Sequence, residues 1–101
     1  MKSKLSKACD ISKAVKNTVW ERDGHKCVIC GNPAAMPNAH YIARSHGGLG
    51  VERNVTTLCL KCHHAYDNTA ERPIIKEQIK AYLQSKYPDW DESKLIYHKY
   101  D

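Results

Sequence analysis

Two cysteine pairs, Cys27-x2-Cys30 and Cys59-x2-Cys62, with residues 31–58 between them, constrain this chain more than any other feature. Four thiols in two tight turns are the ligand set of a tetrahedral structural zinc, with buried reduced cysteines or disulfides as the competing readings. A metal gripped at both ends of one segment obliges that segment to fold back on itself. The chain needs such a staple, because 101 residues without a single Phe bury a modest fraction of their surface. If all four coordination positions are protein sulfur, the zinc has no open position for water or substrate, so it is structural rather than catalytic. It is expected to contribute on the order of 10 kcal/mol to folding, and stripping it should unfold the core. Cys9 lies far from either pair and reads as a spare thiol.

The opening residues MKSKLSKACD are basic but lack the apolar run of a signal peptide. No stretch approaches the roughly 20 apolar residues that span a bilayer. A cytoplasmic, reducing setting follows as the expectation, and there paired cysteines bind metal more often than they form disulfides. The formal charge of +5 and pI near 9.0 favour a polyanionic partner such as nucleic acid. A tetrathiolate zinc lowers that charge by two, so the balance supports a DNA partner without establishing one.

Residues 1–10 alternate Lys and Ser and read as a mobile basic arm. Ile11, Val15 and Val19 recur at four-residue steps, the apolar face of a helix ending near Asp23-Gly24. Pro33 and Pro37 predict a loop over 32–38. Residues 39–44 read as a short strand on which His40, Ile42 and Arg44 share one face, paired with Val55–Leu58. The intervening Gly47, Gly48 and Gly50 predict an irregular loop, in which turning the chain is reason enough for the Gly47-Gly48 pair. A helix is expected from Cys62 to about Asn68. A second amphipathic helix is signalled after Arg72-Pro73 by Ile75, Ile79, Tyr82 and Leu83, and it stops at Tyr87-Pro88. Beyond it Trp90, Leu95, Ile96 and Tyr97 are docking residues, with Asp89 or Asp91 as a helix cap. The division is an arm over 1–10, a core over 11–70 and a C-terminal helical extension over 71–101 packed on that core.

Chemistry-bearing residues concentrate between Ala39 and Asp67. His40 stands on an extended segment, Asn54 in the middle, and His63 and Asp67 lie four residues apart, on one face of a helix and spaced to chelate one ion. This order suggests a metal-assisted phosphodiesterase site.

The stretches CVICGNP, AHYIARSHGGLGVERN and TLCLKCHHAYDN resemble the HNH endonucleases, specifically the small zinc-clamped bacterial and phage members with a ββα-metal fold. The resemblance covers about residues 19–68. It implies an α+β fold: a ββα-metal core with a four-cysteine structural zinc, flanked by an N-terminal helix and C-terminal helices. It further implies a metal-dependent DNA endonuclease, nicking or cutting both strands to leave a 5′-phosphate and a 3′-hydroxyl.

Carried over by position, His40 is implied to be the general base, and its ordinary pKa near 6.5 leaves it largely neutral at cellular pH. Asn54 is implied to orient the loop or His40, or to ligate the metal as in some relatives. His63 is implied to ligate a catalytic divalent ion, with Asp67 beside it. Mixed nitrogen and oxygen donors suit Mg²⁺, Mn²⁺ or Ni²⁺. The chain departs from the family where many members place Asp or His just before the first motif His, since Ala39 stands there; Asn54 or His46 is then expected to help hold the ion. Arg44 is assigned to a flanking phosphate and His64 to structure or DNA contact, while His25 and His98 read as surface histidines. The C-terminal residues resemble the tails of some phage members, which suggests phage packaging proteins as partners; separately, a monomer in the cytoplasm of a bacterial or phage-infected cell is expected. The competing reading is a zinc-clamped DNA-binding or assembly module whose nuclease site has degenerated, with Ala39 as its sign.

Overall fold

Strand β2 (Val55–Cys59) is buried along its whole length, covered by the neighbouring strand and by the helices on either side of the sheet in sequence. The computed structural model describes residues 4–98; the first three residues of the expected arm and the last three of the C-terminal extension lie outside that range. β2 pairs antiparallel with β1 (Ala35–His40), and the fold is α+β with this one two-stranded sheet.

The first strand begins and ends four residues earlier than residues 39–44, where periodicity puts it. Ala35 pairs with Cys59 and Met36 with Leu58, whereas Ala39 pairs with Thr56 and His40 with Val55. Between these pairs β1 therefore holds one residue more than β2, a bulge at Pro37-Asn38. That irregularity is what admits a proline to the strand, because the ladder hydrogen bond that Pro37 cannot donate falls where pairing is already broken. The strand ends at His40, so Ile42 and Arg44 do not continue its face, and Arg44–His46 forms a 3-10 turn instead.

Helix α2 (Lys13–Arg22) starts on Ser12, whose hydroxyl accepts from the Val15 amide at 3.1 Å. Its last residue feeds the main polar junction of the interior. Arg22 donates to both carboxylate oxygens of Asp23, to the carbonyls of Glu52 and Val55 at 2.6 and 2.7 Å, and to the Tyr87 hydroxyl. Asp23, 5% exposed, also accepts from the Thr57 amide at 2.8 Å and the Tyr82 hydroxyl at 2.6 Å. One ion pair thus ties α2, β2 and the C-terminal region together.

Helix α3 (Leu60–Asn68) leaves β2 without a linker, and α4 (Arg72–Lys86) follows with Pro73 in its first turn, where a missing N–H costs nothing. Ile75, Ile79 and Leu83 bury one face of α4 against Tyr41, Leu58 and Tyr66. A 3-10 turn, Glu92–Leu95, is capped by Asp91 and inserts Leu95 into the same core. Trp90 packs edge-on to Tyr41 and donates to the Arg53 carbonyl at 2.8 Å. Leu49 donates to the Leu95 carbonyl and Tyr97 to the Gly47 carbonyl, so the C-terminal segment fastens the glycine loop.

Within the expected arm over 1–10, the described residues up to Cys9 have regular structure. Lys4–Cys9 is helix α1, and Cys9 is 1% exposed. Among the described residues, no helix is long and apolar enough to cross a membrane.

Candidate active site and zinc clamp

The two cysteine pairs converge. The sulfurs of Cys27, Cys30, Cys59 and Cys62 all lie within 4.8 Å of one another, with Cys30 and Cys59 at 3.5 Å. Tetrahedral Zn–S bonds require sulfurs about 3.8 Å apart, so the cluster could hold a structural zinc. The first pair turns at Gly31, whose φ of +79° suits glycine, and the Gly31 amide donates to the Cys27 carbonyl. Burial opposes charge on the Cys27 thiol, yet the backbone amides of Cys30, Cys59 and Ile29 bring it down to about 7. Burial and the neighbouring sulfurs push Cys62 upward. Thiolates this close repel one another, and a dication among them would offset that repulsion.

A cleft of about 500 Å³ opens where the end of β1, the Arg44–His46 turn, α3 and the start of α4 meet, and His40, His63, Asp67 and Arg72 face it. His63 Nε2 and Asp67 Oδ2 are 3.2 Å apart, as their spacing on one helix requires.

His40 is half-buried, and its Nε2 lies 2.8 Å from the carbonyl oxygen of Cys9. A carbonyl only accepts, so the neutral ring carries its proton on Nε2 and its basic lone pair on Nδ1. Burial lowers the His40 pKa below 6.5; the charges of Arg44 and His63 lower it further, against the raising effect of the Cys9 carbonyl and Asp10.

Asn54 stands behind the cleft rather than in it. Fully buried, it accepts from the Ile42 amide at 2.8 Å and donates to the carbonyls of Ile42 and Leu49 at 3.2 and 2.8 Å. It braces the loop that carries the 3-10 turn, and both its amide hydrogens are spent there. Gly48 completes that brace, since a Cβ would lie 1.7 Å from the Ile42 carbonyl oxygen. The Gly47-Gly48 pair is thus a packing requirement as well as a turn.

Arg44 lines the cleft, but its guanidinium is paired with Asp10 at 2.6 Å. His46 also reaches the cleft. His64 is exposed beside Asn68 and is not among the residues lining the cleft. Arg72 and Asn38 are lining residues to which the sequence reading gave no role. Arg72 packs its guanidinium 4.2 Å over the Tyr66 ring and donates to the Tyr66 carbonyl at 3.0 Å, which leaves further N–H groups for an anion. Asn38 sits in the bulge, and its Oδ1 is buried without a hydrogen-bond partner. An imidazole, a carboxylate and an orphaned amide at one cleft are a donor set that fits a divalent ion.

The HNH endonuclease family model matches residues 27–69, which run from the first zinc-clamp cysteine to the end of α3. Residues 27–69 are thus similar to the HNH endonucleases. The match takes in both cysteine pairs, His40, Asn54, His63 and Asp67, and leaves α1, α2 and α4 outside it. HNH domains are nuclease or DNA-binding units, generally using a divalent ion for cleavage. No curated protein matches the chain.

Proposed function

We propose that this protein is a divalent-ion-dependent DNA endonuclease that hydrolyses phosphodiester bonds to a 5′-phosphate and a 3′-hydroxyl. The observation that carries the reading is the state of His40: a ring whose Nε2 is committed to a carbonyl, in the same cleft as the His63–Asp67 pair.

In this reading Nδ1 of His40 takes a proton from water as the water oxygen attacks phosphorus. Its lowered pKa keeps the ring neutral and ready to accept that proton. His63 and Asp67 would hold the ion, with Asn38 as a further oxygen donor in place of the residue that Ala39 cannot supply. An ion held there would supply charge neutralisation as the phosphodiester bond breaks. Arg72, held rigid by Tyr66, is suited to a non-bridging phosphate oxygen. Asn54 acts through the loop and does not touch the reacting atoms.

A second reading, a DNA-binding module with a degenerate site, draws on Ala39, which is 1% exposed and offers no donor. Conversion of supercoiled plasmid to nicked and linear forms separates the two. Wild type and His40→Ala are each incubated with EDTA, Mg²⁺, Mn²⁺ or Ni²⁺. Cleavage by wild type alone, and only with an ion, is expected. Absence of cleavage by folded, zinc-loaded wild type under every ion, with salt-sensitive DNA binding retained, overturns the nuclease reading in favour of the binding module.

A further inference from the structure

The last carbonyls of a helix have no partner inside it, and α1 spends its own on the catalytic cleft. The Cys9 carbonyl receives His40 Nε2 at 2.8 Å. The Ala8 carbonyl receives the Gly50 amide at 3.0 Å, and the Ser6 carbonyl, which already takes the Asp10 amide at 3.0 Å, also receives Arg44 Nη2 at 3.2 Å. Immediately after the helix, Asp10 pairs with Arg44 at 2.6 Å. Two of these partners, His40 and Arg44, line the cleft. The third sits where no other residue fits: a Cβ on Gly50 would lie 2.0 Å from the Asp10 carbonyl oxygen and 2.9 Å from that of Cys9. A short helix outside the matched segment is therefore seated against the glycine loop closely enough to exclude one methyl group, and its final carbonyl ends on the proposed general base.

We infer that α1 is a working part of the active site, and that the Cys9 carbonyl is the positioning group that fixes the tautomer and orientation of His40. This rests on the nuclease reading for its consequence in catalysis, but not for its structural content. The matched segment supplies the imidazole and the ion ligands; residues 4–10 decide which nitrogen of that imidazole is basic and hold the ring still. Cys9 matters through its backbone, so the identity of its side chain is not what the site uses.

Gly50→Ala is the designed wedge. Its φ lies outside the left-handed region, so the added methyl acts through crowding alone. The full-length, zinc-loaded protein with ¹⁵N-labelled histidine is compared with Gly50→Ala by long-range ¹H–¹⁵N correlation, with His40 assigned from its absence in His40→Gln. In wild type at a pH where the ring is neutral, a single Nε2–H tautomer is expected. In Gly50→Ala a mixture of tautomers is expected, with kcat for plasmid nicking down about 10²-fold and KM little changed. A wild-type spectrum showing the Nδ1–H form or an averaged mixture overturns the inference, and needs no variant to do so. A folded Gly50→Ala that keeps the single Nε2–H tautomer and full kcat also overturns it. If wild type has the expected tautomer and Gly50→Ala loses it while neither cuts DNA, the positioning role stands and the nuclease reading has failed.

Discussion

Asp23 holds Arg22 through both carboxylate oxygens, at 2.7 and 3.1 Å, in an interior where Asp23 is 5% exposed. The same carboxylate receives the Thr57 amide of β2 and the Tyr82 hydroxyl of α4. Asp23→Ala strands a half-buried guanidinium and two donors at once. A loss of about 3–5 kcal/mol is expected, read as a lower denaturant midpoint with the slope unchanged. A loss below about 1 kcal/mol would show that Arg22 relaxes to solvent.

Removal of zinc should act on the whole fold. The four-cysteine cluster spans the segment from Cys27 to Cys62, and β2 runs directly into the second pair. One zinc per chain is expected by metal analysis. Chelation, or Cys59→Ser, should abolish cooperative unfolding followed by circular dichroism. A chelated protein that still melts cooperatively would leave the four thiols as a packed cluster without a metal role.

The pH dependence of cleavage follows from His40. The ring accepts a proton only when neutral, and burial holds its pKa below 6.5. Activity is therefore expected to fall as pH drops, with the midpoint of that acid limb below 6.5. An acid limb in kcat/KM centred above 6.5 would argue against His40 as the base.

Arg72 lies beyond the matched domain yet enters the cleft from α4. Arg72→Ala is expected to reduce kcat/KM by about 10²-fold and to lower the salt slope of DNA binding by about 1. Arg72→Lys should recover little of the rate, because an ammonium lacks the planar fork and the stack on Tyr66. Full activity in Arg72→Lys would reduce the residue to a diffuse charge.

Asn54→Ala leaves the amide and carbonyl of Ile42 and the carbonyl of Leu49 without partners. A stability loss of about 3 kcal/mol is expected, with cleavage lost through a loosened Arg44–His46 turn. The check is urea denaturation beside nicking assays run well below the new midpoint. Unchanged stability with lost activity would instead point to direct contact with the reacting atoms.

The residues themselves determined whatever depends on short spacing. A Cys-x2-Cys turn brings two sulfurs together wherever it occurs, His63 and Asp67 meet because four residues make one helical turn, and the apolar rhythm of Ile75, Ile79 and Leu83 admits one buried face. What depends on long-range packing could not be read that way. Pro37 argues for a loop until the bulge opposite β2 absorbs its missing N–H, which moves the strand to Ala35–His40. Arg44 looks available for phosphate until α1 brings Asp10 against it, and Arg72 looks like an ordinary helix start until α4 docks beside α3. His40 and Cys9 are separated by 31 residues. Local periodicity carries no information about a hydrogen bond at that separation, so only the tertiary structure decided which nitrogen of the proposed base is free to act.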